Sequence, residues 1–199
     1  MDGIDGAGKS TQLALLRDWL IDQGHPVELV RDPGSTRPGE AIRQLLLESD
    51  LEMHRRTEAL LYMAARCQLV EEKIRPALAK QKVVLSDRFL LANVVYQSVG
   101  NAESPESLWQ LGAVATDGVR PDLTLLLDLP ADVALDRLRG PADRMESRGL
   151  EYMQAVREAF LEQLPRSGPT TAVIDASMPV QPMHEAILAS VKAFFASST

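Results

Sequence analysis

The chain has 199 residues, of which 45% are hydrophobic and 25% charged, and its net charge is −7. This composition is typical of a folded globular protein, and one domain over residues 1–199 accounts for the length. The negative charge argues against general nucleic-acid binding, no apolar run suffices to span a membrane, and no secretory signal precedes the first helix. A single cysteine excludes an internal disulfide, and the three histidines lack metal-ligand spacing. A cytoplasmic location is therefore expected.

Residues 3–10 read Gly-Ile-Asp-Gly-Ala-Gly-Lys-Ser, the pattern of a Walker A phosphate loop. Leucines recur at helical spacing directly afterwards, which predicts a first helix over about 9–23. The glycines let backbone N–H groups face an anion at the positive end of that helix, where Lys9 can reach phosphates and Ser10 can ligate Mg²⁺. The expected nucleotide-binding residues are Gly3, Asp5, Gly6, Ala7, Gly8, Lys9, Ser10 and Thr11.

Short apolar runs alternate with helical patterns along the rest of the chain. This alternation predicts an α/β protein of the P-loop three-layer type, with a mostly parallel sheet and helices on both faces. Pro76 should kink or end the longest helix. The predicted strands cover 27–30, 83–85, 123–129 and 171–174, and the predicted helices after the first cover about 38–46, 57–78 and 180–195.

A second polar element follows the apolar run at 83–85, where the sequence reads Ser-Asp-Arg-Phe. In an open α/β sheet, ligands bind at the carboxyl ends of the strands. Asp87 could therefore hold Mg²⁺ or its water, and Arg88 could spread charge over a transferred phosphoryl group. The phosphate loop alone is compatible with kinases, GTPases and ATPases, but the guanine-reading Asn-Lys-x-Asp segment of GTPases is missing from the sequence.

Five segments in order resemble thymidylate kinases, the enzymes that phosphorylate dTMP with ATP. They are the phosphate loop with Thr11, residues 31–36 (Arg-Asp-Pro-Gly-Ser-Thr), residues 62–66 (Tyr-Met-Ala-Ala-Arg), residues 87–97 and residues 120–124. Weaker matches lie at 143–146 and 174–176. Together these segments span nearly the whole chain. The resemblance implies ATP and dTMP as substrates, Mg²⁺ as cofactor and a homodimer.

The resemblance also implies a substrate site made of eight residues. They are Asp5 for the 3′-hydroxyl of deoxyribose, Arg43 and Arg88 for the monophosphate, Tyr62 for stacking on thymine, Arg66 and Asn93 for its polar edge, Pro33 beside the 5-methyl group, and Tyr96 against a ribose 2′-hydroxyl. Aromatic rings stack well on bases, and Arg and Asn supply donors to a carbonyl-rich edge.

A charged stretch at about 138–150, poor in apolar residues, is predicted to be a mobile lid. Family members supply a catalytic arginine from the phosphate loop or from the lid, and this loop has small residues at 6–8. The lid must then provide it. The candidates are Arg137, Arg139, Arg144 and Arg148, of which Arg144 is favoured because it stands in the matching Asp-Arg-x-Glu pattern.

Two departures from the family pattern leave alternatives open. Phe89 replaces the usual Tyr or His, and only Met1 and Asp2 precede the loop where a buried strand normally stands. We therefore expect the first strand to be missing and the natural chain to begin upstream. The rival functions are another nucleoside monophosphate kinase, acting on UMP or AMP, and a nucleotide-binding but inactive chain.

Overall fold

The computed structural model describes residues 1–100, 103–138 and 149–197. Within these ranges, helices and short parallel strands alternate along the chain. The helices are α1 (Lys9–Asp22), α2 (Arg37–Leu47), α3 (Arg55–Leu69), α4 (Arg75–Ala79), α5 (Leu90–Ser98), α6 (Pro105–Thr116), α7 (Ala131–Arg137), α8 (Gly149–Gln163) and α9 (Val180–Ser197), and the strands are β1 (Val27–Arg31), β2 (Val83–Asp87), β3 (Leu123–Asp128) and β4 (Thr170–Asp175). No helix in the described ranges is long and apolar enough to cross a membrane.

The strands form two parallel pairs, β1 with β2 and β3 with β4. Met1 and Asp2 lie between the pairs. The Asp2 N–H donates to the Leu125 carbonyl (2.8 Å) and the Asp2 carbonyl accepts from Leu127 N–H (2.9 Å). On the other side, the Met1 nitrogen donates to the Ser86 carbonyl (2.9 Å), and the Met1 carbonyl accepts from Arg88 N–H (3.0 Å). The spatial order is therefore β1, β2, the Met1–Asp2 segment, β3 and β4.

A cleft of about 320 Å³ separates β2 from β3 beside the Met1–Asp2 segment. Residues 83–85 of β2 and 123–125 of β3 line it. In the described part of the chain, β2 and β3 do not pair with each other. The Oγ1 atom of Thr124 is buried at the cleft without a hydrogen-bond partner among the described residues. Among the described residues, the two half-sheets are thus joined only near their carboxyl ends, through Met1 and Asp2.

Helices cover both faces of β3, as its sequence requires. Residues 124–127 are all buried, so successive side chains are covered on opposite faces of the strand. One covering layer contains α1 and α9, which contact each other and the strands. On the other side, Val95 of α5 and Phe160 of α8 share a core with Leu127. The predicted α/β architecture with parallel strands is confirmed.

A polar contact ties the last helix to the first. The fully buried Gln12 of α1 donates through Nε2 to the carbonyl of Val180 (2.8 Å). Its Oε1 lies 3.2 Å from Nδ1 of His184, which is also buried. Buried amides are stable only when their hydrogen bonds are made. Helix α9 is therefore fixed against the helix that follows the phosphate loop.

The predicted helix over 57–78 is interrupted next to Pro76, as expected from that proline, and it consists of three consecutive pieces. Between α3 and α4 the chain forms a π-helical turn, Val70–Ile74. Pro76 stands in the first turn of α4 and has no N–H to give to the preceding turn. A widened turn accommodates that missing bond and the chain continues as helix. Of the predicted lid, residues 139–148 lie outside the described residues, and the chain is helical from Gly149.

Candidate active site

The phosphate loop leaves the start of α1 open to an anion. Gly8 is the N-cap of α1, and its backbone is in the left-handed conformation (φ 88°). This N-terminus has no side-chain cap and no acidic residue in the first turn. Gly6 also has positive φ (80°). The first N–H groups of a helix lack intrahelical partners and carry its positive end. This geometry is suited to binding phosphate.

Gly3 is required by the close approach of β3. Its φ is +140°, and a Cβ at this position would lie 2.4 Å from the carbonyl oxygen of Leu127. The Gly3 carbonyl accepts from Lys9 Nζ (3.0 Å) and Arg88 Nη1 (3.1 Å). A larger residue would displace the strand and loosen both cations.

Lys9 is folded over the loop and largely buried. Its Nζ also donates to the carbonyl of Ile4 (2.8 Å) and lies 3.5 Å from the Asp5 carboxylate. Burial, together with the charge of the nearby Arg88, lowers the pKa of Lys9 to about 8, and Asp5 opposes this shift. The loop thus holds the amine beside the start of α1, where a phosphate would meet it.

A polar cavity of about 380 Å³ opens in front of the loop. Ser10 and Asp87 both line it, with Ser10 Oγ 3.5 Å from Asp87 Oδ2. Hydroxyl and carboxylate oxygens are the hard ligands that Mg²⁺ prefers, so the two residues fit a magnesium site. The complete lining is Asp5, Gly6, Gly8, Lys9, Ser10, Thr11, Arg31, Asp32, Arg43, Asp87 and Arg88. Gly3 and Ala7, predicted to bind nucleotide, are not among the lining residues.

Arg88 stands at the centre of the site in a strained backbone conformation. Its φ is +64°, which is uncommon for a residue other than glycine. Its guanidinium donates to the Asp5 carboxylate and lies 5.1 Å from the ring centroid of Tyr96. The Tyr96 hydroxyl is 3.4 Å from Nη2. Desolvation and the Arg88 charge act in opposite directions on the Tyr96 hydroxyl, and burial prevails in raising its pKa.

A second, smaller cavity of about 150 Å³ adjoins the first. The two share Asp5, Asp32, Arg43 and Arg88 among their lining residues. The remaining walls of the smaller cavity are mostly apolar or aromatic. They are Pro33, Leu47, Tyr62, Arg66, Phe89, Ala92, Asn93, Tyr96 and Gln97. All eight residues predicted for the substrate therefore surround this one pocket.

Arg66 and Asp32 form a fully buried ion pair at the back of the smaller cavity. Arg66 Nε lies 2.6 Å from Asp32 Oδ2, and the two side chains are 1% and 0% exposed. Desolvation raises the pKa of Asp32, and the Arg66 charge opposes that rise. Arg66 also donates through Nη1 to Oδ1 of Asn93 (3.0 Å) and through Nη2 to the carbonyl of Phe89 (3.4 Å). The guanidinium is thus fixed by hydrogen bonds to three residues, Asp32, Asn93 and Phe89.

Two amides in the same pocket carry unpaired atoms. Arg66 can only donate, so Asn93 presents Oδ1 to it and is left with Nδ2, a buried donor. Gln97 is buried as well, and its Oε1 is an acceptor without a partner among the described residues. Gln97 was not predicted as a site residue, although it lines this pocket. Its spacing of four from Asn93 could have indicated this, because that spacing places both amides on one face of α5.

The predicted arginines of the lid are only partly described. Arg137, at the end of α7, donates through Nη1 to the carbonyls of Ala176 (3.0 Å) and Gly6 (3.4 Å). It therefore contacts the phosphate loop. Arg139, Arg144 and Arg148 lie outside the described residues. Arg31, which sequence analysis left without a role, lines the polar cavity and bonds Glu40.

We expect Arg66→Met to lower stability by about 3–5 kcal/mol, because it leaves Asp32 as an unpaired buried charge. Arg66→Met combined with Asp32→Asn should cost less than the sum of the single changes. The control is Arg56→Met, whose guanidinium binds Glu103 while 67% exposed, so that its loss should change the stability little. Urea unfolding of the parent and the four variants, Asp32→Asn included, measures the difference, and equal losses at both arginines would contradict the assigned role of the buried pair.

Comparisons with known proteins show the family of this chain. The profile of the thymidylate kinase family matches residues 1–187. A thymidylate kinase of Rhodopirellula baltica is 57% identical over 189 residues, covering 95% of this chain and 77% of the relative. Thymidylate kinases of Kosmotoga olearia and Desulforudis audaxviator are 42% and 44% identical, and the alignments cover 94% and 96% of this chain and 91% and 88% of those relatives. By profile and by sequence identity, the chain belongs to the thymidylate kinase family.

Proposed function

We propose that the chain transfers the γ-phosphoryl group of ATP to dTMP, giving dTDP and ADP. The observation that carries this proposal is the junction of the two cavities. A phosphate-loop cavity and a base-sized pocket share Asp5, Arg43 and Arg88 as walls. A nucleoside monophosphate in the smaller pocket would place its phosphate at this junction, facing the loop that holds the donor.

The smaller pocket is suited to a thymine base. Tyr62 gives it an aromatic wall, and the unpaired Nδ2 of Asn93 and Oε1 of Gln97 offer one donor and one acceptor. Thymine presents the complementary pair, a carbonyl O4 and an N3–H. Cytosine has an amino group in place of O4 and an unprotonated N3. The donor of Asn93 would then face another donor, and the acceptor of Gln97 would face another acceptor. Pro33 is assigned to the 5-methyl group and Arg66 to the placement of Asn93.

Catalysis in this proposal is positioning plus charge stabilisation. An oxygen of the dTMP phosphate attacks the γ-phosphorus of ATP, and the bond from that phosphorus to the β-bridging oxygen breaks as ADP leaves. Lys9 and Arg88 meet the charge on the phosphoryl oxygens, and Arg43 holds the acceptor phosphate. Ser10 and Asp87 would hold Mg²⁺, which neutralises charge on the phosphates when bound. Asp5 accepts a hydrogen bond from the 3′-hydroxyl, and Tyr96 stands against a 2′-hydroxyl.

Arg144 is proposed as a further cation that reaches the phosphates during transfer, from the lid at about 138–150. A cation that arrives only when the substrates are bound stabilises the transition state more than the ground state. Arg137, at the border of the lid, contacts the carbonyl of Gly6, so the chain enters the lid beside the phosphate loop. A homodimer and a cytoplasmic location stay predictions from the resemblance and the composition.

The cleft between β2 and β3 is proposed to accept an additional extended apolar segment in parallel orientation. Two of its walls are β2 and β3, whose facing edges are paired by Met1 and Asp2 near their carboxyl ends and elsewhere by none of the described residues. Each buried backbone group left unpaired costs about 1–3 kcal/mol. The segment that fills the cleft would join the two half-sheets along their whole length.

In a coupled ADP-release assay, dTMP should be the preferred acceptor among dTMP, dUMP, UMP, dCMP and AMP. The preference over dUMP should be modest, since one methyl group discriminates by about 1–3 kcal/mol. The preference over dCMP should be larger because its edge inverts the donor and acceptor. ATP hydrolysis without acceptor is the blank. Faster turnover of UMP or AMP would favour the rival kinase, and no turnover with any acceptor would favour an inactive nucleotide-binding chain.

Arg88→Ala should lower kcat by about two orders of magnitude or more, since Arg88 meets charge that grows during transfer. Asn93→Ala should mainly raise the KM for dTMP, because contacts to the base are similar in the ground and transition states. Steady-state kinetics on the two variants side by side measure this split. A normal kcat in Arg88→Ala would contradict its role.

Five apolar residues fused ahead of Met1 should raise the melting temperature and the turnover of dTMP, if an extended segment fills the cleft. A fusion of five alternating Gly and Ser residues is the matched control, since it adds length without apolar side chains. Differential scanning calorimetry compares both with the unextended chain. Equal melting temperatures of all three proteins would show that the cleft does not bind such a segment.

A further inference from the structure

The Met1–Asp2 segment that joins the half-sheets carries a buried acidic side chain, that of Asp2. It is 2% exposed, and its backbone is fixed to β3 through Leu125 and Leu127. Its Oδ1 is buried without a hydrogen-bond partner among the described residues. An unsatisfied buried carboxylate oxygen is costly, so its presence in a native fold calls for an explanation.

The charged groups that act on Asp2 all belong to the site or its border. They are the amino group of Met1, the guanidinium of Arg88, the amine of Lys9 and the carboxylate of Asp87. Arg88 is the nearest described side-chain cation, with Nη1 3.9 Å from Asp2 Oδ1. Burial raises the pKa of Asp2 to about 6, against the pull of these cations. At neutral pH the side chain is therefore mostly ionised, close to Arg88 but not bonded to it.

Arg88 is paired with Asp5 in this structure, and the proposed function gives Asp5 a second role. Nη2 of Arg88 donates to Oδ1 of Asp5, while Nη1 donates only to the carbonyl of Gly3. Asp5 is also the proposed acceptor for the 3′-hydroxyl of the substrate. When Asp5 turns to the hydroxyl, Arg88 loses its carboxylate partner. The unpaired oxygen of Asp2 is the nearest replacement.

We propose that Asp2 is a positioning residue for Arg88, whose Nη1 it binds when Asp5 accepts the hydrogen bond of the substrate. This inference rests on the proposed function. Asp2 keeps the guanidinium in place as an acceptor whose backbone is hydrogen-bonded to β3, so that the other face of Arg88 points to the phosphates. Because Asp2 does not touch the substrate, it acts on turnover through Arg88 alone.

The test is Asp2→Asn, assayed with dTMP and ATP at pH 7.5. We expect kcat to fall about tenfold or more, while the KM for dTMP stays the same or falls, since one negative charge near the phosphate is removed. The melting temperature should equal or exceed that of the parent, because a buried charge without a hydrogen bond is gone. A merely structural role would instead lower the melting temperature.

Two further variants sharpen the result. Asp2→Glu restores the carboxylate and has room, because Asp2 borders the cleft between β2 and β3, so it should recover most of the lost kcat. Glu28→Gln is the matched control, a partly buried acid of β1 that binds Lys82 and should leave kcat unchanged.

An Asp2→Asn enzyme with parental kcat would overturn the role of Asp2 and leave the proposed function intact. Loss of kcat together with a lower melting temperature, without recovery in Asp2→Glu, would also overturn it. A parent protein that phosphorylates no dTMP would refute the proposed function first, and the role of Asp2 with it.

Discussion

The backbone hydrogen bonds of two residues hold the described sheet together. Met1 binds the end of β2 and Asp2 binds β3, and the phosphate loop begins at the next residue. The loop therefore takes its position from the junction of the half-sheets. Arg88 depends on the same junction, since its N–H donates to the Met1 carbonyl and its side chain to the Gly3 carbonyl. Any change that separates β2 from β3 should disturb both the loop and Arg88.

The site concentrates cations in a protein whose net charge is −7. Each central arginine is held by an acid, Arg66 by the buried Asp32 and Arg88 by the partly exposed Asp5, so that positive charge is fixed in direction. Fixed charges cost no reorganisation when substrate charge develops, which is the physical basis of electrostatic catalysis. The acids also limit the repulsion among Lys9, Arg43 and Arg88 around one cavity. Positive charge is thus concentrated in the site, and the negative net charge of the whole chain does not reveal this concentration.

The sequence was sufficient to predict the phosphate loop and the four strands, because a fixed glycine spacing and short apolar runs have few alternative structures. Helix α5 was not predicted, since eight of its nine residues are buried and a helix covered all round lacks an amphipathic period. The partnership of Arg66 with Asp32 joins positions 34 apart, and only the fold brings them together. The spacing of four places Gln97 on the same face of α5 as Asn93, but only the fold decides that its Oε1 is left unpaired.

The contact of Gln12 with Val180 and His184 has a consequence for how the chain unfolds. The last helix is separated from the phosphate loop by most of the sequence, yet it is bonded to the first turn of the helix that the loop precedes. Opening of α9 would expose the Gln12 amide and loosen the anion-binding end of α1. The two ends of the chain thus belong to one cooperative unit, and ligand held at the loop would slow amide hydrogen exchange in α9.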